Sequence, residues 1–142
     1  MRAITYDQYG TTDELHLSDL PVPKVGPSEV RIRVTRAGVN PVDWKAMSGG
    51  LDPMLSADFP VIPGWDVAGV VDALGYGVTR HAVGDRLYGL VSFPYPGGTY
   101  AQFLTAPAHQ LTAMPATASA GVRGAQGRHR PRGLGPAGLL TA

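Results

Sequence analysis

The sequence predicts a mainly β domain, a barrel or sandwich with one or two short helices. Two patterns carry that expectation. Val30, Ile32 and Val34 alternate with Arg31, Arg33 and Thr35, the period of a strand with one buried and one wet face. The 19 glycines and 13 prolines recur at short intervals, as turns between short strands require. At 142 residues, 44% of them hydrophobic, the chain can bury one core and is too short for two ordinary domains. No stretch approaches the ~20 apolar residues of a membrane span. Met1–Gly10 has no apolar signal core. This ordinary composition predicts a cytoplasmic protein.

Each element follows in order. Residues 2–6 form a first strand. Leu15 and Leu17 alternate with His16 and Ser18 in a second, which Pro21 and Pro23 end because proline cannot donate to a ladder. After the strand at 29–36, Asn40 suits a helix N-cap and Pro41 the first helical position. Asp43 falls in the first turn, where the helix dipole favours an acid. Gly49-Gly50 stops that helix. Residues 51–63 read as loop and 65–74 as a strand, with Gly69 marking a bulge or a close backbone approach. Turns at Gly84-Asp85 and Gly97-Gly98 introduce strands at 86–91 and 99–105.

The charge is divided unevenly. All 11 acidic residues and 7 of the 12 Lys/Arg lie in residues 1–85, whereas residues 86–142 carry 5 Arg and no acid. Residues 116–142 have no periodicity, aromatic or acid, and read as a disordered tail. Within it, Gly133-Leu134-Gly135-Pro136-Ala137-Gly138 fits a dinucleotide-binding glycine pattern. It lacks the preceding strand, the following helix and the distant acid that such a loop needs. The Arg128–Arg132 cluster has no interleaved aromatics, so neither nucleic acid nor membrane is an expected partner.

Four motifs then line up: Gly38-Val39-Asn40-Pro41-Val42-Asp43-Trp44-Lys45, Pro60-Val61-Ile62-Pro63-Gly64-Trp65-Asp66-Val67-Ala68-Gly69, Gly84-Asp85-Arg86-Leu87, and Gly97-Gly98-Thr99-Tyr100-Ala101-Gln102-Phe103. Over residues 1–115 this series resembles the N-terminal GroES-like domain of the medium-chain dehydrogenases/reductases, nearest to their zinc-free quinone oxidoreductase branch. The resemblance implies a partly open β-barrel whose Rossmann domain is absent from these 142 residues. It implies NADPH as cofactor, hydride transfer, and a small quinone, enone or aldehyde-like substrate. Oligomeric state stays open, because dimers of this family usually pair through the absent part.

The resemblance also places residues. Asn40 would sit by the nicotinamide and substrate, with Asp43 as a second catalytic residue and Lys45 near the cofactor. Trp65 and Asp66 would border the substrate cleft. Each has a structural alternative: Asn40 as a helix cap, Asp43 as a first-turn acid, Lys45 as an exposed helical lysine, Trp65 as core, and Asp66 as an acceptor for strand-edge amides. Zinc-dependent relatives carry cysteine at Asn40, histidine at Trp65 and a proton-relay hydroxyl at Val42. Without cysteine, and with those substitutions, no catalytic zinc is expected. His16, His81, His109 and His129 show no metal-ligand spacing.

Two rival functions come from other classes: a non-catalytic binding module or pseudoenzyme, and a ring-forming co-chaperonin-like protein. In the family, the segment after Met114-Pro115 leads into a cofactor domain. Here the residues from about Gly121 become Gly, Arg, Pro and Ala, the composition that GC-rich codons give in a shifted frame. A frameshift or truncation near residue 120 is therefore expected.

Overall fold

A computed structural model describes residues 1–51, 58–116 and 139–141. Most of the tail reading, including the glycine pattern at 133–138, lies outside the described residues, as does part of the loop reading at 51–63.

Among the described residues the architecture is mainly β, with open sheets and one α-helix. Strand β3 (Glu29–Gly38) is its axis. Val30, Ile32 and Val34 are buried while Arg31 and Arg33 turn outward, as the alternation predicts. β3 pairs antiparallel with β4 (Asp66–Leu74) on one side and with β6 (Phe103–Pro107) on the other. β4 continues to β5 (Arg86–Leu90), and β5 to β7 (Leu111–Ala113). The order is thus β6-β3-β4-β5-β7. A single 3₁₀ turn, Ala108–Gln110, joins the two end strands, so the sheet curls back on itself. β6 and β7 do not pair with each other, and the barrel stays partly open.

The curl has a local cause. The β3–β4 register shifts between Arg31 and Ile32 and again between Val34 and Arg36, and such bulges bend and twist a strand. Gly69 lies opposite Val34. A Cβ there would come within 2.4 Å of both the Arg33 carbonyl oxygen and Ile32 Cγ2, which is the close approach that its place in the strand predicts. The core inside the curl joins Val30, Ile32, Val67, Val71, Leu87, Leu104 and Leu111.

β1 (Arg2–Thr5) and β2 (His16–Asp19) form a separate two-stranded sheet. It is fastened by an Ala3–Ala101 bridge and by the Ile4 N–H, which donates to the Tyr100 carbonyl at 2.8 Å. Helix α1 (Pro41–Met47) follows β3 directly and buries Ala46 and Met47.

Three differences from the sequence reading have physical reasons. The strand expected at 99–105 begins its ladder only at Phe103. Thr99 and Tyr100 donate backbone bonds to Gly64 and Pro63, whereas Gln102 donates to Arg2, so two partners divide the segment. β7, with three residues, is too short to show a period. Finally, the tail reading assigns no element at 139–141, yet β8 (Leu139–Thr141) pairs with Arg36–Gly38. β6 covers only Glu29–Arg33, so β3's ten residues extend beyond it on that edge.

Candidate functional site

The end of β3, the start of α1 and the start of β4 converge on one cluster. Asn40 precedes α1 in an extended conformation, φ −127° and ψ 158°, as an N-cap position requires. Its backbone N–H donates to Asp43 Oδ2, and the Asp43 N–H donates to the Asn40 carbonyl at 3.0 Å. The Asn40 side-chain amide reaches across to β4, where Nδ2 donates to Asp66 Oδ2 at 2.8 Å. The Asn40 Nδ2–H is therefore committed to a tertiary contact.

Asp66 opens β4 and is 7% exposed; Asp43, one turn into α1, is 4% exposed. Gly38 makes room for them, since a Cβ there would lie 2.8 Å from the Asp66 Cβ. The Tyr100 hydroxyl donates to Asp43 Oδ2 at 3.2 Å.

Burial governs the electrostatics. It raises the Asp43 carboxyl above its ordinary range. The Asn40 N–H and the Tyr100 hydroxyl partly offset that rise, and the Asp66 charge adds to it. Burial also raises Asp66, against a smaller lowering by the Asn40 amide. Tyr100 is raised by burial and then by the neighbouring carboxylates, so it stays a neutral donor at physiological pH.

Of the five residues picked from sequence, the structure brings Asn40, Asp43 and Asp66 together. Trp65 is buried with Ala46 behind α1, and its Nε1–H donates to the Tyr95 carbonyl at 2.7 Å. Lys45 is exposed and turned over the Trp44 ring, 5.6 Å from its centroid. Sequence reading missed Tyr100. It stands 57 residues from Asp43, and no local period links the two. Its place in the Gly98-Thr99-Tyr100-Ala101 run of the fourth motif was the available signal.

Exposed apolar side chains lie near the cluster along the chain. Val39 and Trp44 are exposed on the α1 side, and Phe93 is exposed while its ring packs edge-on against Trp65, 5.9 Å between centroids. A half-buried amide beside exposed apolar faces suits a flat ring with one polar substituent, the shape of a nicotinamide. Two buried carboxylates, with Lys45 as the one cation on α1, do not suit a diphosphate. Around Asn40 the described residues place two buried carboxylates, Asp43 and Asp66, each holding one of its N–H groups. They contain no group of three or more His, Cys, Asp or Glu placed to hold a metal ion.

A partly open barrel with this cluster where β3, α1 and β4 meet has the form of an N-terminal domain of the dehydrogenase/reductase kind. The comparisons agree: residues 26–116 match the alcohol dehydrogenase GroES-like domain family, and the chain belongs to it. Its likeness to quinone oxidoreductases of the medium-chain dehydrogenase/reductase superfamily is close. It is 38% identical over 121 residues to a chloroplastic quinone-oxidoreductase homolog of Spinacia oleracea, covering 84% of this chain and 36% of the relative. It is 40% identical over 93 residues to the chloroplastic NADPH-dependent alkenal/one oxidoreductase of Arabidopsis thaliana, covering 65% of this chain and 24% of that protein. The quinone oxidoreductase structure from Coxiella burnetii superposes with a TM-score of 0.79 at 31% identity, over 84% of this chain and 38% of that one. The chain thus spans about a third of the spinach relative's length.

Proposed function

We propose that the chain is the substrate-side domain of a zinc-independent, NADPH-dependent oxidoreductase that reduces quinones or activated alkenes such as enones. The observation that carries this reading is the Asn40–Asp66 hydrogen bond, which fixes a half-buried amide at the start of α1. The relatives named for quinone and alkenal/one reduction support the substrate class.

The chain's residues have separable roles. Asp66 holds the Asn40 side chain, and Asp43 holds its backbone, so the amide presents its remaining polar atoms at low entropic cost. Val39, Trp44 and Phe93 are exposed apolar side chains available to pack on a bound ring. Lys45, exposed at the end of α1, is placed to approach a ribose or phosphate. Bound NADPH supplies the hydride from C4 of its nicotinamide. Residues 1–115 act as this domain, and the segment from 116 stays outside the proposed mechanism.

Zinc independence rests on the donor set. The Trp65 indole N–H is a donor already committed to the Tyr95 carbonyl, and an Asn40 amide is a poor substitute for a thiolate. Among the described residues no helix is long and apolar enough to cross a membrane. We place the protein in the cytoplasm from its composition, although the named plant relatives are chloroplastic.

The test is NADPH titration of the 142-residue chain followed by NMR. The Asn40 side-chain amide and the Trp44 indole should shift, with weak affinity because the pyrophosphate gains little here. A binding module with no nicotinamide site would leave both signals unmoved, and that result would overturn the reading.

A further inference from the structure

Among the described residues, three buried side-chain oxygens have no hydrogen-bond partner: Asp43 Oδ1, Asp66 Oδ1 and Thr99 Oγ1. Two belong to the carboxylates of the candidate site, and the third to the residue next to Tyr100. The groups facing Asp43 and Asp66 are Asn40 from the end of β3 and Tyr100 from the segment before β6. None is cationic. Lys45 on α1 is turned over Trp44, Arg36 on β3 donates to the Thr35 carbonyl, and Arg31 pairs with Asp72 at the far end of β4.

Two buried carboxylates, one on the backbone N–H and one on the side-chain amide of the same asparagine, with no counter-cation among the described residues, repel each other and are poorly solvated. Protonating one removes the repulsion and one desolvated charge. Tyr100 gives such a proton a route. Its hydroxyl touches Asp43, and the residue also lines an open groove of about 360 Å³, together with Ile4, Leu17, Val34 and Ala37. Leu17, on the rim, is 61% exposed.

We propose that Asp43 and Asp66 hold one proton between them at neutral pH, and that Tyr100 connects this pair to solvent in the groove. This rests on the reductase reading for its use: the stored proton is the one that reduction requires. After hydride adds to the double bond, the carboxylic acid gives its proton to the resulting carbanion or enolate and becomes a carboxylate. The Tyr100 hydroxyl then passes its proton to Asp43 and takes one from groove water. The net change is one solvent proton consumed per double bond reduced. Tyr100 is a positioning and relay residue, since it meets the carboxylate and not the substrate.

The proton can be detected without cofactor or substrate. The 142-residue chain, labelled at aspartate Cγ, is titrated by NMR from about pH 3 to about pH 9, with Asp43→Asn and Asp66→Asn to assign the signals. One of the two carboxyls should titrate well above the ordinary aspartate range, and replacing either residue should lower the midpoint of the other. Two wild-type midpoints within the ordinary range overturn the proposal even if both variants fail to fold. The relay is tested separately in the enzyme that results when the chain is joined to a relative's cofactor-binding part. Tyr100→Phe should lower kcat about tenfold or more with KM for NADPH unchanged, and should enlarge the solvent isotope effect. An unchanged kcat and isotope effect overturn the relay. Absence of turnover in the unmutated fusion sinks the reductase reading and leaves the titration standing.

Discussion

Asn40 is the residue on which local and tertiary demands meet. Its position before Pro41 is that of a helix cap, and the backbone obeys that rule. Its side-chain amide serves Asp66, 26 residues away. The sequence motif therefore identified the residue and left its partner open. Asn40, Asp43 and Asp66 were legible because two short motifs carry them. Tyr100 also lies in a motif, but only the folded chain brings its hydroxyl to Asp43. The buried acids also predict a pH dependence. Both carboxyls are raised above their unfolded values, chiefly by burial, so each favours the fold while protonated. Their contribution is complete below the unfolded pKa and is lost as pH rises through the folded value. Asp66→Asn keeps an acceptor for the Asn40 amide and removes the titration. Urea unfolding of both proteins should show the variant's stability relative to wild type increasing as pH is raised from acid to neutral. A difference independent of pH would contradict the electrostatic account.

At the scale of elements, the pattern reveals strands that are long and one-sided. β3 shows this best, with Val30 and Ile32 fully buried and Arg33 exposed on the opposite face. Helix α1 was legible from its cap, its Pro41 and its closing glycines. The 99–102 segment was not, since its hydrogen bonds divide between Pro63–Gly64 and Arg2. Gly69 makes a sharper prediction. Alanine there would press its Cβ against the β3 backbone and Ile32, so Gly69→Ala should cost about 1–3 kcal/mol in denaturant unfolding. Ile32→Ala should cost about 2–5 kcal/mol by leaving a cavity in the same place. If both variants unfold at the wild-type midpoint, the close β3–β4 packing described above is wrong.

For the whole molecule, the sheet order explains why the site lies where it does. The curled sheet closes its core around Val30, Ile32 and Leu87, and this leaves the polar cluster at the β3–α1–β4 junction, outside the main core. Asp43 is thus held on a short helix and Asp66 at the start of the internal strand β4, while Trp44 and Phe93 remain exposed. Composition supplied an early part of this account. The sequence has no cysteine and the Trp65 N–H is committed to a carbonyl, and both support the proposed zinc independence. The proposed role of Asn40, held by Asp66, is to form the substrate side of an NADPH-dependent reductase. Its most direct test replaces the matching N-terminal part of the spinach relative with residues 1–116 of this chain and follows NADPH oxidation with a quinone. The fusion should turn over, and Asn40→Ala should lower kcat/KM about tenfold or more without unfolding it. A folded fusion that binds NADPH and reduces quinone equally well with alanine at position 40 would contradict the claim.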